Sequence, residues 1–564
     1  MTLLASRPLK FFAFFLAAML MQTAQAQDRS QARSMVISRH GIVAAESPLA
    51  AQAGVGILER GGNAVDAAIA TNAMMGVVEP MMNGIGGDLF AIVYDAKANK
   101  LYGLNASGWA PKGLTIEYLQ KLGIRGMPQQ GVNAITVPGT ADGWQKLADK
   151  FGRKKLAEDL AAAIRTAQDG FPVPEWTAAY WAAQADHLRT DETATSTYLI
   201  QDRPPKVGEV FHNPDLAWSL KQIAQHGRDG FYKGEIASKI LDSMKRHGGP
   251  MVAQDLAEYS GEWVEPISTT YRDWTVFEMP PNGQGLAALE MLNIMETFPL
   301  GQKDWGFGST KALHAMIEAK KLAYADLAKY IGDPRKQKLP VAKLLSKEWA
   351  AERAKLIDPE HANCDVSAGE MPPGSDTTYL SVVDGEGNMV SLIQSNYSLF
   401  GSGIVAPGTG FALHNRGGLF SLDPTSPNAL AGRKRPMHTI IPAFAQKGDV
   451  RMAFGIMGGW NQSQAHAQFV ANIADFKMNI QAALEAPRFT KLTFGGCDVV
   501  MENRIGQNVR NELTAKGHKI EVRGTFTSDV GGGQVVLRDF ATGVNYGASD
   551  PRKDGQAVAE LPIN

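Results

Sequence analysis

Cysteine is almost absent. Cys364 and Cys497 are the only two in 564 residues, too few for a disulfide framework and without the spacing of a CxxC redox motif or a metal site. In an oxidising compartment they could pair, but the sequence does not say that their Cα atoms come within reach; two ordinary thiols are the simpler expectation. An excess of one charge is absent too. With 56 Lys and Arg against 57 Asp and Glu, no general basic field exists to hold nucleic acid or an anionic membrane. The chain has no GxxxxGK(S/T) phosphate loop, no HExxH zinc helix and no GxSxG nucleophile elbow. Gly84-Ile85-Gly86-Gly87 and Gly531-Gly532-Gly533 lack dinucleotide spacing and read as tight turns, and the eleven histidines show no ligand pairing. No cofactor and no metal are expected.

Long apolar runs are also missing. The one that stands out, Phe11 to Met21, falls short of the roughly 20 residues that a membrane helix needs. Arg7 and Lys10 precede its body and Ala24-Gln25-Ala26 follows it, the order of a secretory signal with a small-x-small cleavage site. Residues 1–26 are therefore read as a signal peptide, and the mature protein as periplasmic or secreted, with no membrane attachment after signal removal. A small, neutral substrate class or a local charged pocket fits this composition better than a polyanion.

At this length the chain holds three or four ordinary domains' worth of sequence, or one large layered fold. Apolar spacing predicts a helix from Ser47 to Arg60, stopped by Gly61-Gly62, and a second one capped by Asn63. Phe90 to Tyr94 and Lys100 to Leu104 read as a hairpin, Val137 to Gly248 as mainly helical, and Trp263 to Met279 as strand-rich. Two long amphipathic helices follow, Gly285 to Phe298 and Ser309 to Tyr330. Helices paired with hairpins indicate a layered α and β architecture. From Pro359 to Asp376 the pattern breaks into Pro, Gly, Ser and acidic residues, an exposed connector. Asn105, Asn396 and Asn461 each open a glycan-acceptor triplet, a pattern short enough to arise by chance.

The connector ends at Gly374-Ser375-Asp376-Thr377-Thr378-Tyr379. Residues 377–384 alternate as a strand does, Asp384-Gly385-Glu386-Gly387-Asn388 is a turn that Asp384 would fix, and Met389 to Ser395 returns as a second strand. Pattern alone gives an ordinary hairpin. A second reading is chemical: a threonine hydroxyl needs a base beside it, and a threonine at a chain terminus supplies its own α-amine, whose pKa of about 7.7 to 8 leaves a useful neutral fraction. That reading requires a cut between Asp376 and Thr377.

The pieces Gly61-Gly62-Asn63-Ala64-Val65-Asp66-Ala67-Ala68, Asn83 to Gly87, Thr377-Thr378, Ser381-Val382-Val383-Asp384, Phe400-Gly401-Ser402-Gly403-Ile404-Val405, Lys434-Arg435-Pro436 and Gly458-Gly459 occur in an order that resembles the γ-glutamyltranspeptidase family, from about Gly41 to the C-terminus. The resemblance implies a four-layer αββα sandwich of the N-terminal nucleophile hydrolase type, made as a proenzyme and cut into a large subunit, 27–376, and a small subunit, 377–564. It implies Thr377 as nucleophile, Ser395 as the hydroxyl beside it, Gly458 and Gly459 as the oxyanion hole, and Thr378 as a retained neighbour.

The substrate positions depart from the family pattern. Ser107 stands where the family has an arginine for the glutamyl carboxylate, the acid for the α-amino group falls near Gly418, and His438 and Thr439 replace paired serines. Arg416 could supply a carboxylate partner from another direction or stand as an exposed, solvated charge, and Trp109 and Trp460 could form an apolar or cation-binding wall or simply pack in the core. Three functions stay open: a self-cleaving glutathione hydrolase or γ-glutamyltransferase, the same machinery acting on a glutaryl or oxamate-like amide, and an unprocessed binding protein without catalysis.

Overall fold

The computed structural model describes residues 31–366 and 377–562; the predicted signal peptide and Asp376 lie outside them. Two seven-stranded antiparallel sheets form the centre. One runs in the order Gln556–Ala559, Ile42–Ala45, Thr378–Val383, Met389–Ser395, Asp88–Asp95, Lys100–Ala106, Glu262–Val264. The other runs Val36–Ser38, Val544–Ser549, Gly533–Asp539, Val450–Ile456, Ala443–Lys447, Trp274–Glu278, Ile267–Tyr271. The strand after Thr377 is thus third of seven, covered on both edges.

Strand alternation sorts side chains between three apolar layers. Tyr379 and Val383 point into the layer between the sheets with Phe90, Phe444 and Ala453. Leu380 and Val382 point outward, against a core shared with the helices Pro48–Glu59 and Ala64–Val78. From the other sheet, Phe454 and Ile456 face a core shared with the helices Gly285–Met295, Thr310–Tyr330 and Gln462–Ala474. Strands buried on both faces need this double cover, which is why Thr378–Val383 and Met389–Ser395 are buried at every position. The result is the four-layer αββα order expected from the resemblance.

Local signals match the elements they predicted. Asn63 caps the helix Ala64–Val78 by accepting from Val65 and Asp66 N–H groups, while Asp66 reaches back to the Asn63 N–H. Asp384 fixes its hairpin turn by accepting from the N–H groups of Glu386 and Asn388. The three glycan-acceptor asparagines are all buried, so none is available to a glycan.

The free-thiol expectation is overturned. Cys364 and Cys497 form a disulfide, with Cα atoms 5.0 Å apart across 133 residues of sequence. Their encounter is tertiary: Ala362, two residues before Cys364, donates its N–H to the carbonyl of Lys516, just ahead of the strand Lys519–Arg523, whose parallel partner Asp498–Glu502 begins directly after Cys497. No local pattern encodes that meeting. Among the described residues no helix is long and apolar enough to cross a membrane.

Candidate active site

Thr377 lies at the head of the third strand and is completely buried. Its neighbour Thr378 pairs with Gln394, so Ser395, one residue on, ends the adjacent strand beside the threonine. The Ser395 hydroxyl accepts the Tyr397 N–H at 2.8 Å. Behind Thr377, the Tyr379 N–H donates to the buried Glu46 carboxylate at 3.0 Å, tying the strand that Thr377 heads to the residue after Ile42–Ala45.

The second sheet supplies the opposing groups. After Val450–Ile456 the chain turns through Gly458 (φ 124°, ψ 44°) and Gly459 (φ 58°) into a helical turn and the helix Gln462–Ala474. Positive φ at both positions is a glycine conformation. The N–H groups of a helix start have no intrahelical acceptor and carry the positive end of the helix dipole, so this turn suits a developing oxyanion. Gln284 locks it: its side-chain N–H₂ donates to the carbonyls of Gly459, at 2.7 Å, and of Thr439. The Ser463 hydroxyl donates in turn to Gln284 Oε1 at 3.0 Å.

Gln462 bridges the two halves. Its Oε1 accepts the Ile441 N–H at 3.0 Å, which turns its Nε2 toward the Thr377 hydroxyl at 3.5 Å. The Thr377 hydroxyl and the helix start therefore meet through one side chain.

A buried polar cluster extends from this point. Arg416 donates from Nη1 to the Thr439 hydroxyl at 2.6 Å and stacks over the Tyr397 ring, 4.6 Å from its centroid. Burial pulls its pKa down to about 10, so it is a cation at neutral pH. Asp88 Oδ1 accepts the Gly108 N–H, and Asp88 Oδ2 lies 2.9 Å from His438 Nε2 and 3.6 Å from His414 Nδ1. Burial raises the Asp88 carboxyl, but His414, His438 and Arg416 together hold it below its ordinary value. His438 is pushed down to about 3 by burial and then by Arg416. Its Nδ1 accepts the Ile440 N–H, so the neutral ring carries its proton on Nε2 and donates to Asp88.

The remaining expected substrate residues fall in different places. Ser107 is buried and donates to Asn105, while its carbonyl accepts from Arg435. Gly418 sits on the same short turn as Arg416, with its carbonyl accepting from Gln129 and with Gln129 and Pro128 as its nearest neighbours among the described residues. Thr378 is buried within its strand. Trp460 is fully buried edge-on against Phe494 in the helix-side core, and Trp109 lies between Arg335 and Arg433. Gln284, Gln462, Glu46 and Asp88 were not singled out from sequence. A glutamine four residues after Gly458 was the one available hint, since it would open the helix that the glycines introduce.

One histidine group contradicts the expectation that none would pair. His314, Glu318 and His518 bring ligand atoms within 4.8 Å of one another. The two rings hydrogen-bond each other at 2.8 Å, and the Lys321 ammonium sits 2.6 Å from Glu318. A lysine already neutralises the carboxylate that a metal would need.

Residues 50–560 match the model of the gamma-glutamyltranspeptidase family. The chain is 36% identical to a glutathione hydrolase-like YwrD proenzyme of Bacillus subtilis, over 93% of this chain and 98% of that one. It is 34% identical to an oxamate amidohydrolase proenzyme of Klebsiella pneumoniae, over 93% and 99%. The solved cephalosporin acylase of Bacillus halodurans superposes with a TM-score of 0.88 at 44% identity, covering 96% of this chain and all of that one. With the αββα layers and the Thr377 site in place, the match over nearly the whole chain makes this protein a member of the gamma-glutamyltranspeptidase family.

Proposed function

We propose that this protein is an exported amidohydrolase that cuts itself between Asp376 and Thr377 and then hydrolyses an acyl amide lacking a γ-glutamyl headgroup. The observation that carries it is the meeting of the Thr377 hydroxyl with Gln462 at the glycine-led start of a helix. In the first step Thr377 Oγ attacks the Asp376 carbonyl carbon and the peptide nitrogen leaves as the α-amine, giving an ester. Water hydrolyses that ester to the Asp376 carboxylate and the free Thr377 hydroxyl. The α-amine then takes the hydroxyl proton as Oγ attacks the substrate amide, and returns it to the departing amine. Gly458 and Gly459 N–H groups face the oxyanion; one such donor is worth on the order of 10² to 10³ in rate. Water, or an amino acceptor, releases the acyl group.

The headgroup part rests on charge. A γ-glutamyl group carries an α-carboxylate and an α-ammonium, and charge-assisted bonds are roughly twice as strong as neutral ones. Ser107 offers no charge, Gly418 offers no acid, and both Asp88 oxygens already accept protein hydrogen bonds. Two of the three relatives above carry names of other amides, an oxamate amidohydrolase and a cephalosporin acylase.

γ-Glutamyl-p-nitroanilide and glutaryl-p-nitroanilide differ by that ammonium alone. The purified protein is expected to hydrolyse the glutaryl compound with the higher kcat/KM. A preference for the γ-glutamyl compound would return the protein to glutathione chemistry, and an intact single chain inert toward both would leave a binding protein.

A further inference from the structure

Four arginines are among the largest fully buried side chains: Arg416, Arg435, Arg488 and Arg552. Three have a carboxylate partner. Arg435 contacts Glu262, Arg488 contacts Asp550, and Arg552 contacts both Glu502 and Asp550. Among the described residues Arg416 contacts none. Its hydrogen bond to Thr439 leaves from Nη1, and Nε and Nη2 have no partner among those residues.

That asymmetry is costly. Removing a charged group from water costs several kcal/mol unless its protons find acceptors, and folded proteins leave few buried donors unpaired. The position of the unpaired donors also matters. Nε and Nη2 form one side of the guanidinium plane, the fork that accepts both oxygens of a carboxylate. The other side is fixed by Thr439, and the face is fixed by Tyr397. Arg416 is thus held on one side and on one face, with its bidentate edge buried and unpartnered among the described residues.

Its location relates that edge to the nucleophile. Thr439, which anchors Arg416, shares Gln284 with the Gly459 carbonyl, and Ile441, two residues on, orients Gln462 toward Thr377. Tyr397, on which the guanidinium rests, donates its N–H to Ser395. Every support of Arg416 is also a support of the reacting centre.

We propose that the Nε and Nη2 edge of Arg416 receives the free carboxylate of the substrate's acyl chain, so that the enzyme selects monoamides of dicarboxylic acids. This rests on the amidohydrolase reading above and adds the acyl specificity. It assigns the carboxylate a receptor in place of the arginine missing at Ser107, and it leaves the neutral His438 and its Asp88 partner as the floor that keeps Arg416 charged without neutralising it by contact.

The test compares glutaryl-p-nitroanilide with valeryl-p-nitroanilide, which replaces the carboxylate by a methyl group. Arg416→Met keeps the length and apolar stem, and Arg416→Lys keeps the charge while losing the fork. For the wild type the glutaryl compound is expected to be preferred, and in Arg416→Met the ratio of the two kcat/KM values should fall on the order of 100-fold, as when one partner of a buried charge pair is truncated. Arg416→Lys should recover only part of it. Free glutarate provides a readout that needs no turnover: it should raise the thermal unfolding temperature of the wild type and not of Arg416→Met. An unchanged selectivity ratio, or equal glutarate protection of both proteins, overturns the assignment. Processing is read separately on a denaturing gel, so a failure of self-cleavage counts against the amidohydrolase reading, while the glutarate shift still decides for or against Arg416.

Discussion

Cleavage between Asp376 and Thr377 would change what the Cys364–Cys497 disulfide does, because the cut falls inside the 133-residue span that the bond closes. In an uncut chain, closing a loop of that length removes conformational freedom from the unfolded state worth about 5 kcal/mol at 25 °C in the chain-entropy description. Once the loop is opened, the same bond is the sole covalent link between the two fragments. Reduction then converts unfolding from a one-chain into a two-chain event, and each tenfold dilution of the protein should cost about 1.4 kcal/mol of apparent stability. The folded fragments should stay together without it, because the strand Thr378–Val383 pairs with Ile42–Ala45, Met389–Ser395 pairs with Asp88–Asp95, and Lys516 donates to the Pro359 carbonyl at 2.8 Å, each across the cut. The assay is a denaturing gel with and without reductant, followed by thermal unfolding at two protein concentrations. Processed enzyme should run as one species without reductant and as two with it, and its unfolding temperature should depend on concentration only when reduced. Two bands without reductant, or a concentration-independent midpoint in reduced processed protein, would refute the reasoning.

Other substitutions separate the parts of the site. Gly458→Ala forces a side chain into φ 124° with Asn461 3.2 Å from its Cβ; kcat should fall on the order of 10² to 10³, with substrate binding little changed. Gln284→Leu leaves the carbonyls of Gly459 and Thr439 without their donor, at about 1–3 kcal/mol each, so denaturant unfolding should shift to lower concentration and kcat should drop. Asp159 has both carboxylate oxygens unpaired, and burial, with Asp66 and Glu158, raises its pKa to about 8. A raised acid stabilises the fold below its unfolded pKa of about 4 and loses that contribution as pH rises toward 8; Asp159→Asn should therefore flatten the decline of the unfolding temperature between pH 5 and 8.

The sequence carried the local parts of this account. Asn63 and Gly61-Gly62 bound their helices, and Asp384 its turn, because each acts through backbone within a few residues. The layered order was readable through resemblance, and strand alternation then explains which side chains enter which core. What escaped were long-range encounters. Gln284 and Gly459 are 175 residues apart, and Arg416 differs from Arg435, Arg488 and Arg552 in having no carboxylate contact among the described residues. Cys364 and Cys497 meet through a segment whose hydrogen bonds belong to the assembled fold. The Thr377 segment read equally well as a plain hairpin, and it is one; the chemistry depends on the second sheet bringing Gln462 to its head.

The most direct measurement is N-terminal sequencing, with intact mass, of the two fragments from purified protein alongside Thr377→Ala. The account predicts that the wild type yields a smaller fragment beginning Thr-Thr-Tyr-Leu, while Thr377→Ala stays as one inert chain. A wild type that remains uncut, or a Thr377→Ala protein that is processed and active, would contradict it.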